Sequence, residues 1–562
     1  MWGDLPPLGD SDMPQRAADL LAACLAEQGA DRLFCVPGES YLALLDALYD
    51  RPKIDVVVCR HEGGAGMMAV ADAKLTGRPG LAAVSRGPGA MNAAIALHLA
   101  EQDAVPLVLL VGQVARHERG CGAFQEMDYG GVFGSVAKAV WEVADGGRLP
   151  GIVARAIHAA ASGTPGPVVI ALPEDMLSDM VDAGPVPPLP VPRTGPGAAE
   201  IAAVAELLAV AERPLIVAGG GLAGAEERQE LTTLAERCDV PVVTTFKHQE
   251  IFDNTSPLYA GNLGFKIPAA HVDTLGEADL ILAIGTRLGD VPTQGYTFPR
   301  APIPAQRLVH VWPDPAVLGR VFRADLAVPC DPASFCTELA AAAPPGDRRD
   351  WRQRVHRSAL TQRMPPARGP DDGVDFGVVV SALARQAPKD TIVAMDSGNF
   401  SSWVHAHWPW DGSQTAIGAV GGAMGLGVPG AVAASLRYPD RLALGFVGDG
   451  GVLMTGQEMA TGVAKGATPK IVISDNGTYG TIRLHQEREF PGRVAGTDLA
   501  NPDFAAWARA FGALGLTVED AGGVEDAVTA FLTHDGPAVL HVKSSAEAIS
   551  AFTTITALRG SA

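Results

Sequence analysis

The chain has 562 residues, 47% of them apolar and 19% charged, with a formal net charge of −20. That composition describes a well-folded soluble protein, too long for one ordinary core and sized for about three or four domains. The acidic balance argues against nucleic acid or an anionic membrane as a general partner, although a local basic pocket can still take phosphate.

The opening stretch Met1 to Pro7 is acidic and lacks a basic region followed by apolar residues, so no signal peptide is expected. No run of about 18 apolar residues suggests a membrane span. Cys24, Cys35, Cys59, Cys121, Cys238, Cys330 and Cys336 form no CxxC pair or disulfide framework, and they read as reduced thiols of a cytoplasmic protein.

In chain order, the turn Pro37-Gly38-Glu39-Ser40 leads into a predicted helix over 41–49, for which Glu39 and Ser40 are a reasonable start. The β-rich run 55–59 precedes a predicted helix over 64–75, and the apolar runs 107–111 and 167–172 follow as strands. Prolines at 185, 187, 188, 190, 192 and 196 make the stretch 184–196 a stiff extended linker. Beyond it, Leu215 to Gly224 reads as a strand followed by glycines, with another strand at Leu280 to Gly285. Such a glycine turn can accept a nucleotide phosphate, and tight turn packing explains the same residues. A second break runs over 343–372, through the charged stretch Asp347 to Arg352 and the pair Pro365-Pro366. The alternation of short strands with helix-length patterns predicts an α/β protein of three doubly wound parallel-sheet domains, at 1–185, 193–345 and 370–562.

The last third carries the most informative element. Leu442 to Val447 is an apolar run ending at Gly448-Asp449-Gly450-Gly451, a helix is predicted over 453–465, and the strand 470–474 delivers Asn476 after a 25-residue gap from Gly450. The glycines let backbone N–H groups approach an anion at a helix N-terminus. A carboxylate, an amide oxygen, a backbone carbonyl and two phosphate oxygens suit Mg²⁺. The bland account is a turn at Asp449 and a cap at Asn476.

With Gly448-Asp449-Gly450 and Asn476, six further segments resemble the thiamine-diphosphate enzymes of the acetohydroxyacid (acetolactate) synthase and pyruvate oxidase group. They are Val36 to Ser40, Arg60 to Gly63, Arg86 to Asn92, Gly112 to Val114, Ala123 to Glu126 and Gly421 to Pro429. The resemblance runs from about residue 14 to the C-terminus. It implies a pyrimidine-binding N-terminal domain, a Rossmann-like middle domain and a diphosphate-binding C-terminal domain. It also implies a cofactor shared between two subunits, so that a dimer is the minimum and a homotetramer is common.

The same resemblance implies the roles. Glu62 shares a proton with the pyrimidine N1′, which leads to the C2 ylide. Its place between an apolar strand and a Gly-, Ala- and Met-rich helix would shelter the carboxyl and raise its pKa. A first-turn acid favoured by the helix dipole is the competing account. The Gly422 carbonyl accepts the 4′-amine, and Met424 is the apolar wedge that bends the cofactor. Ser85, Pro88, Asn92 and Gln125 match pyrimidine-side or active-site positions. Gly398 and Asn399 fall near the diphosphate, with Gly448, Asp449, Gly450, Gly451, Asn476 and Thr478. Asp449, Asn476 and the Thr478 carbonyl are the metal ligands, while Arg60 and His61 are packing residues.

Family members add the ylide to a 2-oxo acid and lose CO₂ to give an enamine, which is either protonated or added to a second carbonyl. The expected activity is carboligation of pyruvate or a related 2-oxo acid. A 2-oxo acid decarboxylase, a 2-hydroxyacyl or hydroxyketone lyase, and an inactive cofactor-binding regulatory subunit are the alternatives. Two departures bear on the substrate. His485 stands where the synthases carry a Trp, and Glu39 stands where they carry a small residue; both are candidate proton-handling groups. Lys138 aligns with a lysine at the synthase active-site entrance, and the tail 546–562 is short enough for a lid. Synthases hold FAD in the middle domain. Gly219 to Gly224, Arg287 and Pro313 to Pro315 occupy comparable places here, but a Met-His-Gly near Leu263 is missing, so FAD is weighed against.

Overall fold

Every β-rich run named above forms a strand in one of three six-stranded parallel sheets of the computed structural model, which describes residues 14–265, 267–363 and 369–560. Met1 to Pro7 and Pro365-Pro366 lie outside the described residues. In the first sheet the spatial order is Asp55–Val58, Arg32–Cys35, Gly80–Val84, Leu107–Gln113, Pro167–Pro173 and Ala139–Glu142. The third sheet repeats that order with Thr415–Gly418, Ile392–Met395, Ala443–Gly448, Lys470–Asp475, Ala538–Lys543 and Leu514–Val518. The middle sheet runs Tyr259–Leu263, Val242–Thr245, Pro214–Ala218, Leu280–Ile284, Arg307–Val311 and Leu326–Val328, the strand order of dinucleotide-binding folds.

Helices cover both faces, which is why the central strands are apolar throughout: Leu107–Gln113 and Pro167–Pro173 are buried at every residue. The N- and C-terminal domains share one core cluster, because the helix Glu62–Thr76 packs against both Gly87–Asp103 and Gly427–Arg437. Small residues permit that approach; a Cβ on Gly66 would lie 2.4 Å from the Ala96 methyl. Arg437 clamps the junction with paired bonds to Asp31 and Asp72, all at 2.8–2.9 Å.

Two expectations change. The predicted helix over 453–465 is two pieces, Asp449–Thr455 and Met459–Ala464, separated by a 3₁₀ turn at Gly456–Glu458. Gly456 backs onto the Trp507 ring, and the turn sends Glu458 into the N-terminal domain, where it accepts the Arg60 and His61 N–H groups. The second break is also not all irregular. Arg349–Leu360 is a helix that buries Trp351, Val355 and Ala359, and the Trp351 indole donates to the Pro214 carbonyl. Residues 182–197 form neither helix nor strand. Among the described residues no helix is long and apolar enough to cross a membrane. All seven cysteines are free, and only Cys121 is exposed.

Candidate active site

Strand order reverses in the first sheet between Arg32–Cys35 and Gly80–Val84, and open α/β sheets bind ligands at such a point, beyond the strand C-termini. The turns that leave these two strands touch: a Cβ on Gly38 would lie 2.6 Å from the Ser85 Cβ. The strand Asp55–Val58 leads through Cys59 and Arg60 to His61, whose Nδ1 accepts the Gly63 N–H and caps the helix Glu62–Thr76. Half-buried Glu62 thus starts a helix, and its Oε2 accepts a 2.9 Å bond from the Asn92 amide. Gly89, on the first turn of Gly87–Asp103, fits between the Ser85 hydroxyl and the Glu62 carboxylate, with Pro88 exposed beside it.

Gln125 reaches the same helix start. Its carbonyl accepts the Gly87 N–H at 3.2 Å, and its φ of +64° is the left-handed region, unusual for a residue with a side chain. The loop is closed by Glu126, which accepts the Gly120, Gly122 and Ala123 N–H groups and pairs with Arg119. Glu39 is exposed and opens a single 3₁₀ turn, Glu39–Tyr41, ahead of the helix Leu42–Tyr49. It borders a shallow cavity with Arg16, Asp46 and Glu174.

The third sheet reverses between Ile392–Met395 and Ala443–Gly448, and Asp449, Asn476, Thr478 and the glycines of the 448–451 turn gather there. Gly448 caps the helix that begins at Asp449. Asp449 is buried; its Oδ1 accepts the Gly450 N–H and its Oδ2 accepts the Asn501 amide at 2.8 Å. The same Asn501 nitrogen donates to Asp475 at 2.7 Å, so one amide bridges two carboxylates. Burial pushes the Asp449 carboxyl up to about 6, and the neighbouring Asp475 charge adds to the rise. Burial acts the same way on Asp475, but bonds from His541, Lys543 and Asn501 outweigh it and hold that carboxyl well below its ordinary value. Asn476 Oδ1 faces the Thr478 N–H at 3.3 Å, and residues 477–479 are tied to 497–499.

Asp396 joins the parts of this crevice. Its Oδ1 accepts the Ser397 N–H and, at 2.7 Å, the Gly425 N–H; its Oδ2 abuts Gly451 and has no hydrogen-bond partner. Burial pushes this carboxyl up to about 6. Gly422 (φ +74°) and half-buried Met424 lie in the loop so held.

Other expected residues point elsewhere. The Asn399 side chain donates to the Ile549 carbonyl of the C-terminal segment and packs on Gly480. His485 is exposed on the helix Gly480–Glu489, its Nδ1 accepting from Arg488 at 2.6 Å. Lys138 donates to the carbonyls of Ser162 and Thr164, capping the end of a neighbouring helix rather than entering a crevice. The tail helix Ile555–Gly560 packs on the helix Gly480–Glu489, with Arg559 bonded twice to Glu487.

Three family descriptions match the chain: thiamine pyrophosphate enzyme, N-terminal TPP binding domain, over residues 15–132; central domain, over 201–339; and C-terminal TPP binding domain, over 396–542. The acetolactate synthase large subunit of Parasynechococcus marenigrum is 34% identical over 553 residues, 95% of this chain and 88% of the relative. The acetolactate synthase of Mycobacterium bovis is 32% identical over 94% of this chain and 88% of its own length. Isozyme 2 large subunit of Escherichia coli acetolactate synthase is 32% identical over 93% and 95%. The chain belongs to the acetolactate synthase family of thiamine-pyrophosphate enzymes.

As a thiamine-pyrophosphate enzyme, the chain carries Glu39, Glu62, Ser85, Pro88, Asn92 and Gln125 within the matched N-terminal binding domain. Gly398 to Thr478, with His485, fall within the matched C-terminal one. Sequence reasoning missed Asp396, Glu458 and Asn501. An acid directly after the strand Ile392–Met395, two residues before Gly398, was a usable signal for Asp396. Nothing local marks Asn501, whose partners are 52 and 26 residues away.

Proposed function

We propose that this thiamine-pyrophosphate enzyme is a cytoplasmic, homo-oligomeric carboligase that joins pyruvate, or a related 2-oxo acid, to a second carbonyl compound. The observation that carries the reading is the pair of switch-point crevices, one presenting Glu62 bonded to Asn92 and the other presenting Asp449 beside Asn476. Bound thiamine diphosphate supplies the nucleophilic carbon and electron sink that decarboxylation of a 2-oxo acid requires. Glu62 holds and moves the proton at the pyrimidine N1′, and Asn92 fixes its carboxylate. The Gly422 carbonyl would accept the 4′-amine of the bound cofactor, and Met424 would pack against it as an apolar wedge. Gly448, Gly450 and Gly451 bring backbone N–H groups to the diphosphate.

Asp449, Asn476 and the Thr478 carbonyl fit Mg²⁺. Asp475 has Lys543 as a counter-charge, with His541 as a further hydrogen-bond partner, whereas Asp449 has only neutral amide donors. A divalent cation supplies the missing charge. Among the described residues no three His, Cys, Asp or Glu side chains cluster as a metal site, so a bound diphosphate has to complete the shell.

The test is incubation with thiamine diphosphate, Mg²⁺ and pyruvate, alone and with other carbonyl compounds. Acetolactate or a homologous hydroxy acid is expected; aldehyde as the only product, or hydroxyketone cleavage, would replace carboligation with a decarboxylase or lyase reading.

The middle domain does not fit a flavin. The N–H groups of Gly219, Gly221, Leu222 and Ala223 already donate to carbonyls within the turn and the neighbouring strand. A Cβ on Gly220 would lie 2.7 Å from the His248 ring, so that side chain occupies the mouth of the turn. Arg287 is turned to the Glu101 and Gln102 carbonyls at the end of an N-terminal-domain helix. Protein purified without added flavin is therefore expected to lack the yellow absorbance of FAD, and FAD is expected to leave its activity unchanged.

One chain does not complete the site, which supports the homo-oligomer. Glu62 sits beside Gly89 and Asn92, while Gly421 is bonded to Asp103 at the far end of the same helix. Fourteen helical residues separate Gly89 from Asp103, about 20 Å at 1.5 Å per residue. Glu62 and Gly422 cannot serve one pyrimidine ring across that span. Met91 and Ile95 on this helix, and Leu453 and Met454 after Asp449, are exposed apolar residues for a second copy to cover.

A further inference from the structure

The loop 418–425 is held by groups from all three domains. Lys74 donates to the Gly418 carbonyl at 2.6 Å, and Asp103 accepts the Gly421 N–H at 3.1 Å. The two side chains also pair with one another, and the Asp103 side chain is fully buried. Both belong to the N-terminal domain, 344 and 318 residues from the backbone groups they grip. The stem of Lys247, from the middle domain, packs on Gly418, and the Gln102 side chain packs on Gly421. On the far side, Gly425 is fixed through its N–H by Asp396 and through its carbonyl by the Thr455 hydroxyl. Between these pins the Gly422 N–H donates to the Ala419 carbonyl at 3.2 Å, which leaves the Gly422 carbonyl and the Met424 side chain to be aimed by the flanking grips.

We propose that the Lys74–Asp103 pair is a positioning device that sets the direction of the Gly422 carbonyl and the Met424 side chain from the opposite domain. This rests on the cofactor roles proposed for Gly422 and Met424. The physical case is one of conformational freedom. Gly421, Gly422 and Gly425 make this segment unusually adaptable, and Gly422 and Gly425 sit at φ +74° and +95°. A flexible loop presents a carbonyl in one direction only if its flanking peptide groups are held, and a 1 Å misplacement at a reacting centre can cost on the order of 10²-fold in rate. The pair grips the entry to the loop by both a carbonyl and an N–H, so it fixes peptide orientation as well as position.

The test compares Asp103→Ala and the double variant Lys74→Met/Asp103→Asn with the unaltered protein. The double variant keeps an acceptor for the Gly421 N–H and removes the ammonium that an amide cannot satisfy. In the cofactor-free protein, hydrogen exchange is expected to accelerate in the peptide covering 418–426 for Asp103→Ala and to return toward the starting rate in the double variant. With thiamine diphosphate and Mg²⁺ added, the C2–H exchange rate of Asp103→Ala is expected to fall by about 10- to 100-fold, by analogy with outer-shell partners of ligand sites. The double variant is expected to recover part of it. Unchanged exchange of the 418–426 peptide, or an unchanged C2–H rate beside a loosened loop, overturns the proposal. Should Asp103→Ala not fold, the apolar pair Lys74→Met/Asp103→Leu removes both grips without leaving a buried charge, and unaltered 418–426 and C2–H exchange in it overturns the proposal equally. The C2–H exchange of the unaltered protein reports separately on the functional reading, so a positive value there beside a null result in the variants rejects the positioning role alone.

Discussion

Glu62→Gln is expected to slow C2–H exchange of bound thiamine diphosphate by about 10²- to 10⁴-fold, the range typical of a lost general acid–base group. Cofactor affinity is expected to change by less than about tenfold, the equivalent of one net hydrogen bond. The reason lies in what the substitution preserves. The glutamine has the same length and keeps a carbonyl oxygen for the Asn92 amide, which donates to Glu62 at 2.9 Å, so the start of the helix is undisturbed. What it removes is the titratable carboxyl group that can give and take a proton. Glu62→Asp separates the two contributions differently: it keeps the acid but withdraws it by one methylene from Asn92. Its exchange rate is expected to lie between those of the unaltered protein and Glu62→Gln. Deuterium loss from C2, followed by NMR after acid quench, measures this before any substrate is added. An unchanged rate in Glu62→Gln would falsify the proton-relay assignment, and a collapse of cofactor binding with it would make Glu62 a binding residue only.

How much of this site was legible in the chain depends on the range of each contact. Glu62 could be placed because parallel α/β units set every strand end and following helix start on one edge of the sheet, whereas Ser85 and Asn92 were legible only through the family resemblance. Gly448, Asp449 and Asn476 follow the same rule in the third sheet. Apart from Asp396, which its place directly after a strand could have marked, the supports could not be read, because they join side chains to distant backbone groups that carry no residue signature. Glu458 is the clearest case. It falls inside what looks like one continuous helix, and only the 3₁₀ turn at Gly456–Glu458, set against Trp507, shows that it faces Arg60 and His61, 398 and 397 residues earlier. Trp351 illustrates a different limit. Its charged neighbours suggested a break, yet three buried residues on one face suffice for a helix when tertiary packing supplies the apolar surface.

The two halves of the site also account for each other's incompleteness. Asp449 is a buried carboxylate without a cationic partner, and Glu62 is only half-buried, at the surface of its own chain. On the proposed reading, each condition would be relieved by bringing the cofactor and a second copy together. A divalent cation held with the diphosphate would offset the Asp449 charge, and the pyrimidine ring with the second copy's surface would cover Glu62.

Mixing two inactive variants is therefore expected to restore activity. A chain with Glu62→Gln keeps its metal–diphosphate end, and a chain with Asp449→Ala keeps its proton-handling end. If each centre draws Glu62 from one copy and Asp449 from the other, a mixed dimer contains one intact centre and one carrying both lesions. Each variant alone should remain near background, whereas random reassortment after co-expression should give roughly a quarter of the activity of the unaltered protein, from simple counting of pairings in a two-fold assembly. Differently tagged chains, purified through both tags, would raise that to about half, since every dimer then carries one whole site. Doubly purified oligomers no more active than the separate variants would show that Glu62 and Asp449 of one chain act on one cofactor. That outcome would require the helix Gly87–Asp103 to shift so far that its two ends no longer keep Glu62 and Gly422 apart.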